Sequence, residues 1–181
     1  MILDNPRWVI KGQLYDMFQN TALSSSTDLI EAETKIPFNK LKIDTVNIFG
    51  FTANPTKPKE LIVFIDPFLD ISSNAIDVIN AATNQYRVRY ILTPFTQSSV
   101  KRLFAFSCVI KGEKSSQIIK RIKYKSFGST SGVCDQDLIS KTYGVSAFLK
   151  LKKSPTLIAS NDVASHGLPQ SIVAFLARNM E

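Results

Sequence analysis

The chain has 181 residues, 44% of them hydrophobic, and a formal net charge of +7 at neutral pH. That composition suits one domain with a sizeable core, and no apolar run is long enough to span a bilayer. With two cysteines (Cys108 and Cys134) and a single histidine (His166), the sequence offers no zinc-ligand spacing, no Ser–His or Cys–His hydrolase pair, no Walker loop and no GxGxxG.

The first residues, MILDNPRWVIKG, lack a basic segment followed by an apolar one and do not read as a signal peptide. RWVIKGQLYDMF, 7–18, predicts an extended pair around Gly12. SSST at 24–27 followed by DLIEAE predicts a capped helix start, cut short by Pro37. TVNIFGF, 45–51, predicts a strand, and NPTKPKE, 54–60, a turn. LIVFID, 61–66, is a continuous apolar strand of the kind buried on both faces in mid-sheet. Ser72 or Ser73 then caps a helix through NAIDVINAAT, with Ile76, Ile79 and Ala82 on one face.

YRVRYILTP, 86–94, predicts another strand, and SSVKRLFAFSCVI a second Ser-capped helix. KSSQIIKRIKYKSF is basic and amphipathic, with Ile118, Ile119 and Ile122 spaced for one helical face. GSTSGVC reads as a loop, and DQDLISKTYGV as a helix opened by Asp135 and closed at Gly144. SPTLIAS, 154–160, predicts a strand opened by a proline. NDVASHG is a turn-bearing hairpin, in which His166 reads as a surface or turn residue. LPQSIVAFLARN is a closing helix with Pro169 near its first turn. A parallel βαβ unit followed by several helices, an antiparallel hairpin and a helix gives an α/β class. The basic clusters Lys120, Arg121, Lys123, Lys125 and Lys150, Lys152, Lys153 lack interleaved aromatics and Gly-rich loops, so no nucleic-acid partner is expected. They read as a solvated helix face and a basic turn, with contact to an acidic partner or an anionic membrane surface as the alternative.

Taken in order, WVIKGQLYDMF, LIVFIDPFLDIS, VRYILTPF and SPTLIASNDVASHGLP resemble segments of the bacterial periplasmic disulfide isomerases of the DsbC/DsbG family. The resemblance covers nearly the whole chain from Trp8 onward. It implies a thioredoxin-like fold with a helical insertion at about 98–150 and a short N-terminal extension. On this partition, 1–44 holds a strand pair and linker helix, the remnant of a dimerisation module, and 45–181 the thioredoxin-like domain. Most of that module is missing before Trp8, which puts the family's dimer in doubt.

The resemblance also places the family's CxxC loop at Leu69, Asp70, Ile71 and Ser72, with Leu69 and Ser72 at the cysteine positions. Thiol–disulfide exchange needs a thiolate that attacks sulfur, and neither side chain supplies one. No catalytic residue, metal or cofactor is therefore expected. It further implies a cis Ser154–Pro155 bond facing that loop, a remnant peptide groove formed by Phe68, Leu69, Ile71, Ser154 and Pro155, and a structural disulfide between Cys108 and Cys134. The expected function is a redox-inactive binding or assembly module of the cell envelope, in the periplasm, with a protein partner such as a component of secretion (type IV) or conjugative-transfer machinery. The alternative is a holdase-type chaperone that uses the same groove.

Overall fold

The computed structural model describes residues 12–16, 21–25, 28, 34–38, 40–129 and 132–180. In chain order the described elements are β1 (Leu14–Asp16), β2 (Thr21–Leu23), β3 (Gly50–Ala53), β4 (Glu60–Ile65), α1 (Asp70–Ala82), β5 (Arg87–Leu92), α2 (Gln97–Ile110), α3 (Ser115–Lys123), α4 (Gln136–Phe148), β6 (Thr156–Ile158), β7 (Ala164–His166) and α5 (Ile172–Asn179). Strands β3, β5, β4, β6 and β7 form one five-stranded sheet in that order, and β1 pairs with β2 in a separate two-stranded sheet. Only β4 and β5 are parallel, with Leu61 opposite Val88 and Ile65 opposite Leu92. A parallel pair needs a long crossover, and α1 supplies it.

Side chains alternate across a strand, so β4 and β5 each serve two cores. Leu61, Val63, Ile65, Val88, Tyr90 and Leu92 face one layer, where Ile76 and Ile79 of α1, Leu103 and Phe106 of α2, Ile122 of α3 and Leu176 of α5 pack on them. Ile62, Phe64 and Ile91 face the other layer, closed by Ile36, Phe38 and Ile48 and by Leu149 just after α4. Burial on both faces explains the unbroken apolar run. The chain reaches the second layer along the sheet edge, where Lys35 bridges Val163 and the Ile36 N–H donates to Asp162 O at 2.8 Å. Between β5 and β6 run α2, α3 and α4. Cys108 of α2 is disulfide-bonded to Cys134, just ahead of α4, with Cα atoms 5.0 Å apart.

Several local expectations are corrected. β1 pairs antiparallel with 21–23, while the extended pair expected around Gly12 rests on residues 7–11, which fall outside the described part. The Ser cap holds: Ser25 Oγ accepts from the Asp28 N–H at 3.1 Å, and the Asp28 carboxylate accepts from the Ser24 and Ser25 N–H groups, although most of that helix falls outside the described residues. The strand expected over 45–51 begins only at Gly50. Ahead of it the Arg89 guanidinium donates to the Thr45 and Ile48 carbonyls at 2.9 and 2.8 Å, and Thr142 Oγ1 accepts from the Phe49 N–H, which fixes this stretch as irregular backbone.

Helix α1 starts at Asp70, before either proposed serine cap, and Leu69 stands at the cap position without a side-chain bond. The cap of α2 is Thr96, whose side chain accepts from the Ser99 N–H. α4 runs through Gly144 to Phe148, because Thr142, Val145, Ser146 and Leu149 hold it against the sheet, and Asp135 sits at its start in the left-handed region without capping it. Pro169 precedes the Ser171 cap of α5. His166 ends β7 and is exposed, a surface residue as expected.

Candidate functional site

Strand β4 ends at Ile65 in the middle of the sheet, and the chain turns through Asp66, Pro67, Phe68 and Leu69 into α1. Asp66 organises this turn and is fully buried. Its Oδ1 accepts from the Phe68 N–H at 3.0 Å and its Oδ2 from the Phe95 N–H at 2.8 Å, which ties the ends of β4 and β5 together. Its own N–H donates to Ser154 Oγ at 2.9 Å, and its carbonyl accepts from the Ser72 hydroxyl. A buried carboxylate is tolerated only when hydrogen-bonded, and here both oxygens are.

Ser72 is fully buried in the first turn of α1, with its hydroxyl hydrogen on a backbone carbonyl and not on a base. Leu69 is half-buried and Ile71 is 46% exposed. Asp70 lies exposed at the positive end of the helix and takes Lys125 Nζ at 2.6 Å; the hydrogen bond from Lys125 holds its carboxyl below the ordinary range. Lys123 pairs in the same way with Asp77 two turns further on, and the Ser73 hydroxyl donates to the Lys123 carbonyl. Helix α3 and its following turn are thereby fastened along α1.

Phe68 turns into the molecule. Its ring packs edge-on against Phe106 of α2 at 5.8 Å and against Phe127 at 4.8 Å between centroids, and the Arg102 guanidinium lies 4.3 Å above it. Beside this turn, Ser154–Pro155 is a cis peptide, as the resemblance implies. Pro155 is buried and its carbonyl accepts from the Gly167 N–H at 2.7 Å, while Ser154 stays partly exposed. The structure thus gathers Phe68, Leu69, Ile71, Ser154 and Pro155 around the start of α1. Phe68 and Pro155 are taken up by packing, and the accessible surface is made by Ile71, Leu69 and Ser154.

A cleft of about 610 Å³ lies elsewhere, around edge strand β3, bounded by Phe51, Glu60, Arg87, Glu113 and Leu138, and includes no residue of the turn. Arg89, at its floor, is buried, and loss of hydration lowers its pKa.

Among solved structures the chain is similar to a disulfide interchange protein from Neisseria gonorrhoeae, with a TM-score of 0.62 and 12% identity over 77% of this chain and 99% of that one. The fold is thioredoxin-like. At this identity the likeness concerns the fold alone. No protein-family model matches the chain, and no curated protein matches it.

Asp66, Arg102 and Lys125 were not singled out from sequence as parts of this site. For Asp66 a signal existed: one carboxylate closing an otherwise apolar run marks a buried, partnered acid. Arg102 and Lys125 reach the turn only through the packing of α2 and α3, which no local pattern reveals.

Proposed function

We propose that this chain is a redox-inactive thioredoxin-fold binding or assembly module of the cell envelope. One observation carries the proposal. The turn into α1 presents Leu69 and a buried Ser72, while both cysteines of the chain are bonded to each other between α2 and the segment before α4. With no thiolate at the turn, disulfide exchange there has no nucleophile. What remains is a surface of Leu69, Ile71 and Ser154 on a rigid frame, suited to holding a protein segment. A structural disulfide persists in oxidising compartments, which supports the periplasm as its location. A place beside secretion or conjugative-transfer machinery follows by association of fold only.

The test has two arms. Insulin reduction and refolding of scrambled ribonuclease should stay at background. A photo-crosslinker at Ile71 should capture a discrete partner in the native host, whereas one at exposed Val173 of α5 should not. Redox activity above background, or identical products from the two positions, would overturn the proposal.

A holdase that takes unfolded clients at this same surface is the second reading, favoured by the exposed apolar side chain of Ile71 there. Suppression of citrate synthase aggregation that disappears in Ile71→Asp would support it.

A further inference from the structure

The two basic clusters have different fates in the fold. Around α3, Arg121 pairs with Glu113 at 2.7 Å, Lys123 with Asp77 at 2.9 Å and Lys125 with Asp70 at 2.6 Å, so most of that charge is spent inside the molecule. The turn ahead of β6 differs. Among the described residues no carboxylate forms an ion pair with Lys152 or Lys153, and both are exposed. They immediately precede Ser154, whose hydroxyl bonds to the Asp66 N–H at 2.9 Å. Arg102 also reaches this turn, exposed and, among the described residues, without a carboxylate partner. Its guanidinium is held at 4.3 Å over Phe68 and 5.4 Å over Phe127, so its position is fixed by packing and not by an ion pair. Among the described residues, three cations without a carboxylate partner therefore stand on segments that meet at this turn: Arg102 over Phe68, and Lys152 and Lys153 just before Ser154. The acids at that surface are already occupied: Asp66 is buried and doubly hydrogen-bonded, and Asp70 holds Lys125.

We infer that the partner at this surface is an acidic protein segment, seated on Ile71 with its carboxylates reaching Arg102 on one side and Lys152 and Lys153 on the other. The inference rests on the binding role proposed above and specifies the chemistry of its partner. Arg favours such a contact because its planar donors take a carboxylate two-pronged while its face stays on the rings. The cations frame an apolar side chain at a turn, and do not form the dense cluster that holds a protein to an anionic membrane. A free excess of cations also rejects basic segments, which gives selectivity as well as attraction.

The test is selection of phage-displayed random dodecapeptides on the full chain, with binding of the enriched peptides then measured by fluorescence anisotropy. The expected result is enrichment of Asp and Glu over the input library. Binding should weaken by about tenfold or more in Arg102→Glu/Lys152→Glu/Lys153→Glu, and on raising NaCl from about 20 to 200 mM. Lys152→Glu/Lys153→Glu, which leaves the Phe68 ring stack untouched, should show a smaller loss in the same direction. Enriched peptides that are neutral or basic but lose binding in Ile71→Asp would overturn the acidic partner and leave the binding role standing. Peptides insensitive to both Ile71 and the cations, or no enrichment at all, would overturn both. Co-sedimentation with phosphatidylglycerol vesicles that is lost in the triple variant, without acidic enrichment, would assign the patch to lipid and overturn the protein partner.

Discussion

Asp66 joins three segments: Phe68 and Phe95 donate to its carboxylate, and Ser154 accepts from its N–H. Asp66→Asn keeps one carbonyl oxygen and turns the other acceptor into a donor, leaving a buried N–H facing an N–H. That change should cost about 1–3 kcal/mol, read as a lower urea midpoint with an unchanged slope. Ser72 and Leu69 allow a sharper check on the turn. Both lie at the N-terminus of α1, three residues apart, where the helix dipole favours a thiolate. Leu69→Cys/Ser72→Cys should fold, close a local disulfide under oxidation and, when reduced, show one thiol that alkylates well below the ordinary cysteine pKa of about 8.5. Two thiols of ordinary reactivity would mean that the turn does not have the geometry described. The position of this turn was legible from the apolar run that ends in it. The inward direction of Phe68 was not, because Phe106 and Phe127, which hold it, come from distant parts of the chain.

Elements were legible where an apolar run or a periodic apolar pattern coincided with burial, as in β4, β5 and the Ile118–Ile122 face of α3. They were misread where side chains from elsewhere replace a backbone ladder. The 45–49 stretch carries strand-like residues, yet Arg89 and Thr142 satisfy its backbone and only Gly50–Ala53 joins the sheet. Gly50 is the reason the edge strand can close on β5: a β-carbon there would run into the Tyr90 carbonyl oxygen, a backbone atom that cannot yield easily. Gly50→Ala should therefore destabilise by about 1–3 kcal/mol, with increased hydrogen exchange confined at first to β3.

A second element-scale prediction concerns the loop between α2 and α3. Arg121 bonds the Glu113 carboxylate through Nε at 2.9 Å and Nη2 at 2.7 Å, and this hydrogen bonding holds the Glu113 pKa below its ordinary value. A depressed folded-state pKa stabilises the fold at all pH above the ordinary glutamate range and loses that contribution as pH falls through the folded value. Melting temperature should thus drop on acidification below about pH 4, and the drop should be shallower in Glu113→Gln. An unchanged slope would show that the pair contributes nothing to acid sensitivity.

At the scale of the whole molecule, the order of strands and helices was readable because Leu61–Ile65 of β4 and Tyr90–Leu92 of β5 are apolar runs and each is followed by a turn. The layer beneath the sheet was not readable: Ile36, Phe38 and Ile48 belong to a stretch without regular periodicity and find their place only against Phe64 and Ile91. The cysteines act at this scale too. They are 26 residues apart, and their bond closes a loop that contains all of α3 and ties α2 to the start of α4. The Ser107 hydroxyl reinforces the junction by donating to the Cys134 carbonyl at 2.6 Å. Closing a loop of that length should stabilise the fold by about 3.5 kcal/mol in the chain-entropy picture, a large part of a domain's net stability. Reduction, or Cys108→Ala/Cys134→Ala, should lower the urea midpoint by a matching amount while leaving α1 and its turn folded. The same bond bears on location, since it persists in the periplasm and not in a reducing cytosol. Protein taken from its native compartment and alkylated without reductant should carry no label by mass spectrometry. Two labelled thiols would remove both the bond and the argument it gives for the periplasm, while the proposal of a redox-inactive turn would stand, because it rests on Leu69 and Ser72, side chains which form no disulfide in any compartment.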